Sequence, residues 1–374
     1  MCKQGNSVNN NDKQSLRVVH IITTIERGGA ELQLLQTARS LKELGVSSSI
    51  VYLKGKPELS LQFKELGAEL MDLSNLSFSS KVLNLRKYVK ERKFEIMHAH
   101  LPRSEVISYL ARLGTSTKLI ITRHNSEAFW PEMPSALSSF ISRLISCKAS
   151  KVIVISNAVL DFIVRNKELK SSSLKNVRLI YYGFNSPTSV PRKKKIPTLE
   201  LKVGTVARLE PQKNLETLLR AMALVKEHSN ASLQIVGEGS ERIMLENLSN
   251  TLSIGNFTEF LGKTDFVEEF LQSLDVFVLP SNYEGFGAVL VEAMQANVPI
   301  VASKISSIPE VLGASYPALF EVGDFKELAR LILKIKDKNF NDLCISFYPK
   351  QLQKFSAELM SKQLVGTYYE TLSR

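Results

Sequence analysis

Asp275-Val276-Phe277-Val278-Leu279-Pro280-Ser281-Asn282-Tyr283-Glu284-Gly285-Phe286-Gly287-Ala288-Val289-Leu290-Val291-Glu292-Ala293-Met294 is the stretch that decides the fold. Its apolar start reads as a buried strand. A loop with two glycines and a carboxylate follows, and then a helical pattern with Glu292 in its second turn. A strand that enters a helix through such a loop presents unpaired N–H groups and the positive end of the helix dipole, which suits an anion. Carboxylates there would repel the anion unless they served another part of the same ligand. A carboxylate accepts two hydrogen bonds and so matches vicinal hydroxyls. Glu284 and Glu292 therefore point to a ligand with both phosphate and hydroxyls, as in a sugar nucleotide.

The same alternation extends in both directions. Upstream, Val18–Ile22, Ser48–Leu53, Glu69–Leu73, Phe94–His100, Lys118–Thr122, Lys151–Ile155 and Val177–Tyr181 read as strands. Helical stretches over about Ala30–Leu44 and Glu105–Leu113 separate some of them. Residues 185–199 then carry three prolines and the run Arg192-Lys193-Lys194-Lys195, a linker composition. Beyond it the strands resume at Leu201–Val206, Ser232–Val236, Thr258–Leu261, Val276–Leu279 and Pro299–Ala302, with a helix over Leu215–Glu227. Alternating apolar strands and helices imply an α/β chain of two doubly wound, parallel-sheet domains. The expected division is a disordered tail over 1–14, a first Rossmann-like domain over 15–186 and a second over 187–355. The cleft between the two domains is the expected ligand site.

With 374 residues, 44% of them apolar, the chain is too long for one ordinary core. Lys and Arg interrupt every apolar run before a bilayer-spanning length. Met1–Ser15 is polar and Asn-rich, without the apolar core of a signal peptide. Three scattered cysteines fit a reducing cytoplasm better than a disulfide scaffold. The net charge of +11 is uneven. Residues 1–186 hold 27 Lys+Arg against 15 Asp+Glu, whereas the remainder holds 21 against 22. The excess is densest over Lys81–Lys93, where Val82, Leu85 and Val89 recur at helical spacing. This basic amphipathic helix is a solvated surface element or a contact for an anionic membrane. No aromatic-interleaved patch or zinc spacing supports a nucleic-acid partner.

Three more segments lie where parallel strands should end. Gly28-Gly29-Ala30-Glu31 lets backbone approach a ligand or simply makes a tight turn. Arg208 and Lys213 flank Pro211 on a strand-to-helix loop, and together could neutralise a diphosphate. His98, His100, Arg103, Arg123, His124 and Asn125 gather at strand ends in the basic half. His98 and His100 point to one face of a strand, which raises zinc. No acidic or cysteine ligand motif accompanies them, so the expectation is no metal. They are either satisfied internally or meet substrate.

In this order the motifs resemble the retaining glycosyltransferase family 4, glycosyl transferases group 1, of the GT-B fold. The resemblance runs from about Arg17 through nearly the whole chain. It is carried by Gly-Gly-Ala-Glu at 28–31, His-Ala-His at 98–100, Thr-Arg-His-Asn at 122–125 and Val-Ile-Val-Ile-Ser-Asn at 152–157. It continues through Gly-Thr-Val-Ala-Arg-Leu and Pro-Gln-Lys-Asn within 204–214, Ile-Val-Gly-Glu-Gly at 235–239, and the E-x7-E pair Glu284 and Glu292. One departure is Tyr182-Gly183-Phe184-Asn185, where many members have Asn-Gly-Val/Ile-Asp.

The resemblance implies that Arg208 and Lys213 bind the donor diphosphate, Glu292 the ribose and Glu284 the transferred sugar. Backbone around Phe286-Gly287-Ala288, with Gly28 and Gly29, would complete the phosphate cradle. Gly237 and Lys263 would border the base. His124 would lie near the reacting centre, and His100, Arg103, Arg123 and Asn125 on the acceptor side. A C-terminal helix over 356–374 would cross back to the first domain. The implied reaction is retaining transfer of a hexose or N-acetylhexosamine from a nucleotide sugar, UDP-sugar first and GDP-mannose second, to a saccharide or lipid-linked saccharide. No Asp-x-Asp motif is present, so no metal or other cofactor is expected. The setting is cytoplasmic, with peripheral membrane contact through the basic half. A GT-B epimerase or hydrolase and a non-catalytic partner subunit remain as alternatives.

Overall fold

A computed structural model describes residues 16–130, 132–186 and 200–373. The expected tail and the basic linker run lie outside the described residues. The first sheet comprises β1 (Arg17–Ile22), β2 (Ser47–Tyr52), β3 (Glu69–Asp72), β4 (Ile96–His100), β5 (Lys118–Arg123), β6 (Lys151–Val154) and β7 (Val177–Leu179). Their order is β3-β2-β1-β4-β5-β6-β7. The second comprises β8 (Leu201–Val206), β9 (Ala231–Val236), β10 (Thr258–Gly262), β11 (Val276–Leu279), β12 (Ile300–Ser303) and β13 (Leu319–Phe320), ordered β10-β9-β8-β11-β12-β13. The second sheet is parallel throughout. Each order reverses beside its first strand, between β1 and β4 and between β8 and β11. Such switch points are where doubly wound sheets place ligands.

The strands form because their residues are apolar on both faces: Val18, Val19, Ile21 and Ile22 of β1, and all of β11, are buried. Expected strand boundaries shift by at most two residues, whereas the helix expected over Glu105–Leu113 is Pro102–Ala111. The unforeseen β13 is only Leu319–Phe320, too short to leave a periodic signal. The basic helix starts at Phe78, three residues before its charged run, because the Ser77 hydroxyl caps it by accepting from Ser80 N. Val82, Leu85 and Val89 form its buried stripe. No helix among the described residues is long and apolar enough to cross a membrane.

The strands divide between the sheets on either side of residues 186/187, but the compact units fall elsewhere. One comprises the chain to Ile121 with the residues from Tyr368 onward, and the other Thr122–Thr367. Contacts within the second unit show why residues beyond β5 belong to it. Ser156 Oγ donates to Gly285 O at 2.6 Å, and Glu310 accepts from Asn157 Nδ2 at 2.7 Å and Tyr181 Oη at 2.8 Å. The C-terminal helix is Ala357–Leu372 and spans the 367/368 division.

Candidate functional site

The buried strand β11 delivers the loop Pro280–Gly287 to the start of the helix Ala288–Gln295. Two glycines are required there for different reasons. A Cβ on Gly285 would collide with the His124 carbonyl oxygen. Gly287 caps the helix at φ +82°, a left-handed conformation that side chains disfavour. Between them, the ring of Phe286 is buried among Tyr182, Phe184 and Phe355, with centroids 5.1, 6.3 and 5.2 Å away.

Glu284 is held from several sides. Ser281 Oγ donates to its Oε1 at 2.7 Å, and Lys213 Nζ lies 2.6 Å from the same oxygen. Ser307 donates to its carbonyl at 3.2 Å, while Ser303 donates to the Ser281 carbonyl at 2.6 Å. The loop bearing Arg208 and Lys213 is tied to this segment by backbone. Asn282 N donates to Gln212 O at 2.8 Å, and Gln212 Nε2 to Tyr283 O at 3.0 Å. Arg208 remains exposed and donates to Gln212 Oε1 at 2.9 Å. The structure therefore joins two loops 71 residues apart into one body with a cation and a carboxylate in contact.

Glu292 is half-buried in the second turn of the helix, and burial pushes its carboxyl up to about 6. His124 is buried and bonds Tyr182 Oη through Nδ1 at 2.7 Å. Burial lowers its pKa to about 3, so the ring is neutral near pH 7. Gly237, at φ +138°, packs where a Cβ would meet the Ala207 carbonyl oxygen. Its N–H donates to Gly262 O at 2.8 Å, which draws the ends of β8, β9 and β10 together; the neighbouring Lys263 is exposed.

Other expected residues stand differently. Arg123 is not available for an acceptor. It is buried, with Nη2 bonded to Ser142 at 2.9 Å and Ser146 at 3.1 Å, Nη1 3.5 Å from Glu168, and its guanidinium 4.6 Å from the Phe129 ring centroid. A charge so enclosed needs these internal partners. Asn125 and Arg103 are exposed. Gly28 precedes the helix Gly29–Glu43, and a Cβ there would strike the Glu31 carboxylate. That carboxylate accepts from Thr24 Oγ1 at 2.6 Å, so the expected phosphate turn already carries its own negative charge.

His100 also is buried, not open to an acceptor. Its Nε2 lies 3.1 Å from His20 Nδ1, and its ring centroid is 4.2 Å from that of His98. His98 Nδ1 bonds Tyr368 Oη at 2.8 Å. The fully buried His20 Nε2 has no hydrogen-bond partner among the described residues, an omission that ordinarily costs about 1–3 kcal/mol. The sequence reading missed His20 because a lone histidine in an apolar strand carries no spacing signal. Tyr182, Ser281, Ser303 and Gln212 were missed for a similar reason, since their partners are remote in sequence.

Two doubly wound parallel sheets, with a cation–carboxylate pair beside a glycine loop and helix start, define a GT-B glycosyltransferase. The chain belongs to that class of enzyme: residues 27–186 match the family model Glycosyltransferase Family 4, and residues 188–350 match Glycosyl transferases group 1. Among curated relatives, the capsular polysaccharide biosynthesis glycosyltransferase CapH of Staphylococcus aureus is 23% identical over 93% of this chain and 100% of its own length. The Campylobacter jejuni GalNAc-alpha-(1->4)-GalNAc-alpha-(1->3)-diNAcBac-PP-undecaprenol alpha-1,4-N-acetyl-D-galactosaminyltransferase is 27% identical over 87% of this chain and 90% of its own. Among solved structures, Anabaena Alr3699/HepE in complex with UDP and glucose superposes with a TM-score of 0.82 at 20% identity, covering 95% of this chain and 100% of that one.

Proposed function

We propose that the enzyme transfers a hexose or N-acetylhexosamine, with retention, from a nucleotide sugar to a saccharide or lipid-linked saccharide in polysaccharide or envelope-glycan synthesis. The observation that carries this reading is the Lys213–Glu284 pair, fixed on the glycine loop before the helix that holds Glu292. A UDP-sugar is the first donor and GDP-mannose the second. The HepE complex with UDP and glucose supports the first choice, and the undecaprenol-linked substrate in the Campylobacter enzyme's name supports the acceptor class.

Breaking the bond between the sugar and the diphosphate builds positive charge on the sugar and negative charge on the departing phosphate. Lys213, Arg208 and the N-terminal end of the helix Ala288–Gln295 stabilise the growing negative charge, a contribution often worth about 10²–10³ in rate per donor. Glu284 accepts from hydroxyls of the transferred sugar and Glu292 from those of the ribose. The acceptor oxygen bonds to the anomeric carbon on the face the phosphate leaves. Its proton passes to the departing phosphate oxygen, so no protein nucleophile is needed. His124, neutral at working pH, serves by hydrogen bonding alone. The cations already neutralise the diphosphate, so transfer is proposed to proceed without a metal.

The basic helix Phe78–Glu91, with exposed Lys87 and Lys90, is the proposed contact with anionic lipid. Co-sedimentation with anionic vesicles, equal for wild type and a variant neutralised at Lys87, Lys90 and Lys93, would remove it. For the reaction, thermal shifts with UDP, GDP and ADP identify the nucleotide, because only a ligand well below its Kd stays silent. The cognate donor is then supplied with and without a polyprenyl-diphosphate saccharide. Acceptor-dependent product with retained anomeric configuration supports the proposal. Sugar released equally fast without acceptor favours a hydrolase and overturns it.

A further inference from the structure

We propose that His20, His98 and His100 form a three-imidazole binding site for a divalent transition-metal ion, zinc foremost, separate from the transfer chemistry. Three of the five histidines in the chain meet at this point. The backbone explains why. β1 and β4 are parallel neighbours in which His20 pairs directly with His98, and His100 lies two residues further along β4. Residues two apart on a strand share a face, so all three rings project on the same side of the sheet.

One ring nitrogen from each histidine can be chosen so that all lie within 4.8 Å of one another. His20 Nδ1 and His100 Nε2 are already 3.1 Å apart. Nitrogens bound at about 2.0–2.1 Å to a tetrahedral zinc stand only slightly further from each other than this. Small ring rotations therefore close the set. Tyr368 Oη bonds Nδ1 of His98 at 2.8 Å, the kind of outer contact that orients a ligating imidazole. A water would complete the fourth position.

The hydrogen bonds within the cluster do not satisfy it, because the buried His20 Nε2 lacks a partner among the described residues. An ion taking one lone pair from each ring would replace the single His20–His100 hydrogen bond as the contact that holds the three rings together. Its chemistry follows from the donors. Imidazole nitrogens suit zinc, copper and nickel, whereas magnesium and calcium require oxygen ligands. The consequence is a clip between the two strands of the first sheet's switch point.

The test uses tag-free full-length protein, dialysed against zinc and then against metal-free buffer, with bound metal measured by mass spectrometry. Cobalt substitution reads the geometry. One ion per chain is expected, with the visible bands of tetrahedral cobalt and a melting temperature lowered by chelator. His20→Gln should weaken binding at least about a hundredfold and abolish the chelator effect. No retained ion, or unchanged binding and spectrum in folded His20→Gln, overturns the site. Should that variant not fold, zinc-edge anomalous diffraction from wild-type crystals decides. A peak among the three imidazoles supports the proposal, and a peak elsewhere or none refutes it.

Discussion

Lys213 Nζ lies 2.6 Å from Glu284 Oε1, with only 14% and 6% of the two side chains exposed. A cation and a carboxylate this enclosed are costly to separate unless each finds a new partner. A nucleotide sugar offers both at once: a diphosphate for the lysine and sugar hydroxyls for the glutamate. On the proposed function, the pair keeps two charges in place for a ligand that carries their complements.

Removing one member separates chemistry from folding. Lys213→Ala should lower kcat/KM by about 10²–10³, the loss typical of one donor to a developing anion. It also leaves Glu284 without its cation, at about 3–5 kcal/mol if the carboxylate stays charged and dry. Glu284→Gln keeps an acceptor for Ser281 and Lys213, so denaturant midpoints should stay close to wild type while transfer falls. Wild-type turnover in a folded form of either variant would remove the pair from the donor site.

Glu292 gives a pH signature. Its folded pKa is raised to about 6 from an ordinary 4.5 by burial, so between these values the folded protein holds a proton that the unfolded chain has lost. Stability linked to this group is present below 4.5 and diminishes as pH rises through 6. In the proposed role, donor binding runs the opposite way, because ribose hydroxyls would require the carboxylate as acceptor. The Kd for the cognate nucleotide should rise by up to about tenfold per pH unit below 6. Calorimetric titration of wild type and Glu292→Gln checks this; a slope that persists in the variant refutes the assignment.

The sequence made the sheets legible because most strands carry an apolar run, such as Val276–Leu279, bounded by polar or turn residues. The loop Pro280–Gly287 was legible because local spacing placed Glu284 before the helix and Glu292 in its second turn. Contacts made at long range were not. That Ser156 reaches Gly285 depends on segments 129 residues apart, and that Gly285 has no room for a Cβ depends on the still more distant His124. Arg123 shows the same limit in reverse. A charged residue at a strand end reads as functional, yet Ser142, Ser146 and Glu168 enclose it. Nothing local announces those partners.

His124 should act without titrating in the working range. Its folded pKa, lowered by burial to about 3, lies below the ordinary 6.5, so the unfolded chain binds the extra proton first as pH falls. Stability from this residue is complete above 6.5 and diminishes by up to about 1.4 kcal/mol per pH unit below it. His124→Asn should flatten that part of the stability profile and lower kcat, with the wild-type rate showing no histidine step between pH 6.5 and 8. Tyr182→Phe removes the bond to Nδ1 and should reduce kcat by a smaller factor than His124→Asn.

Gly285→Ala tests the loop's packing. The added methyl has no space beside the His124 carbonyl, so the backbone on either side must shift. Overpacking of this kind costs about 1–3 kcal/mol. It should displace Glu284 and weaken nucleotide binding by at least about tenfold, read by calorimetry. Wild-type affinity in the variant would show that the loop tolerates the shift.

Arg123 distinguishes a structural arginine from one that meets an acceptor. Its guanidinium reaches Ser142, Ser146 and Glu168, and Ser142 Oγ donates to Glu168 Oε2 at 2.6 Å. Glu168 is 2% exposed, so loss of the arginine takes a cation away from a buried carboxylate. Breaking such a pair costs about 3–5 kcal/mol. Arg123→Leu should therefore lower the denaturant midpoint strongly. The double variant Arg123→Leu/Glu168→Leu removes both charges and should recover much of that stability. Where the double variant folds, its acceptor KM should match wild type. A stable double variant whose acceptor KM rises tenfold or more would return Arg123 to the acceptor side.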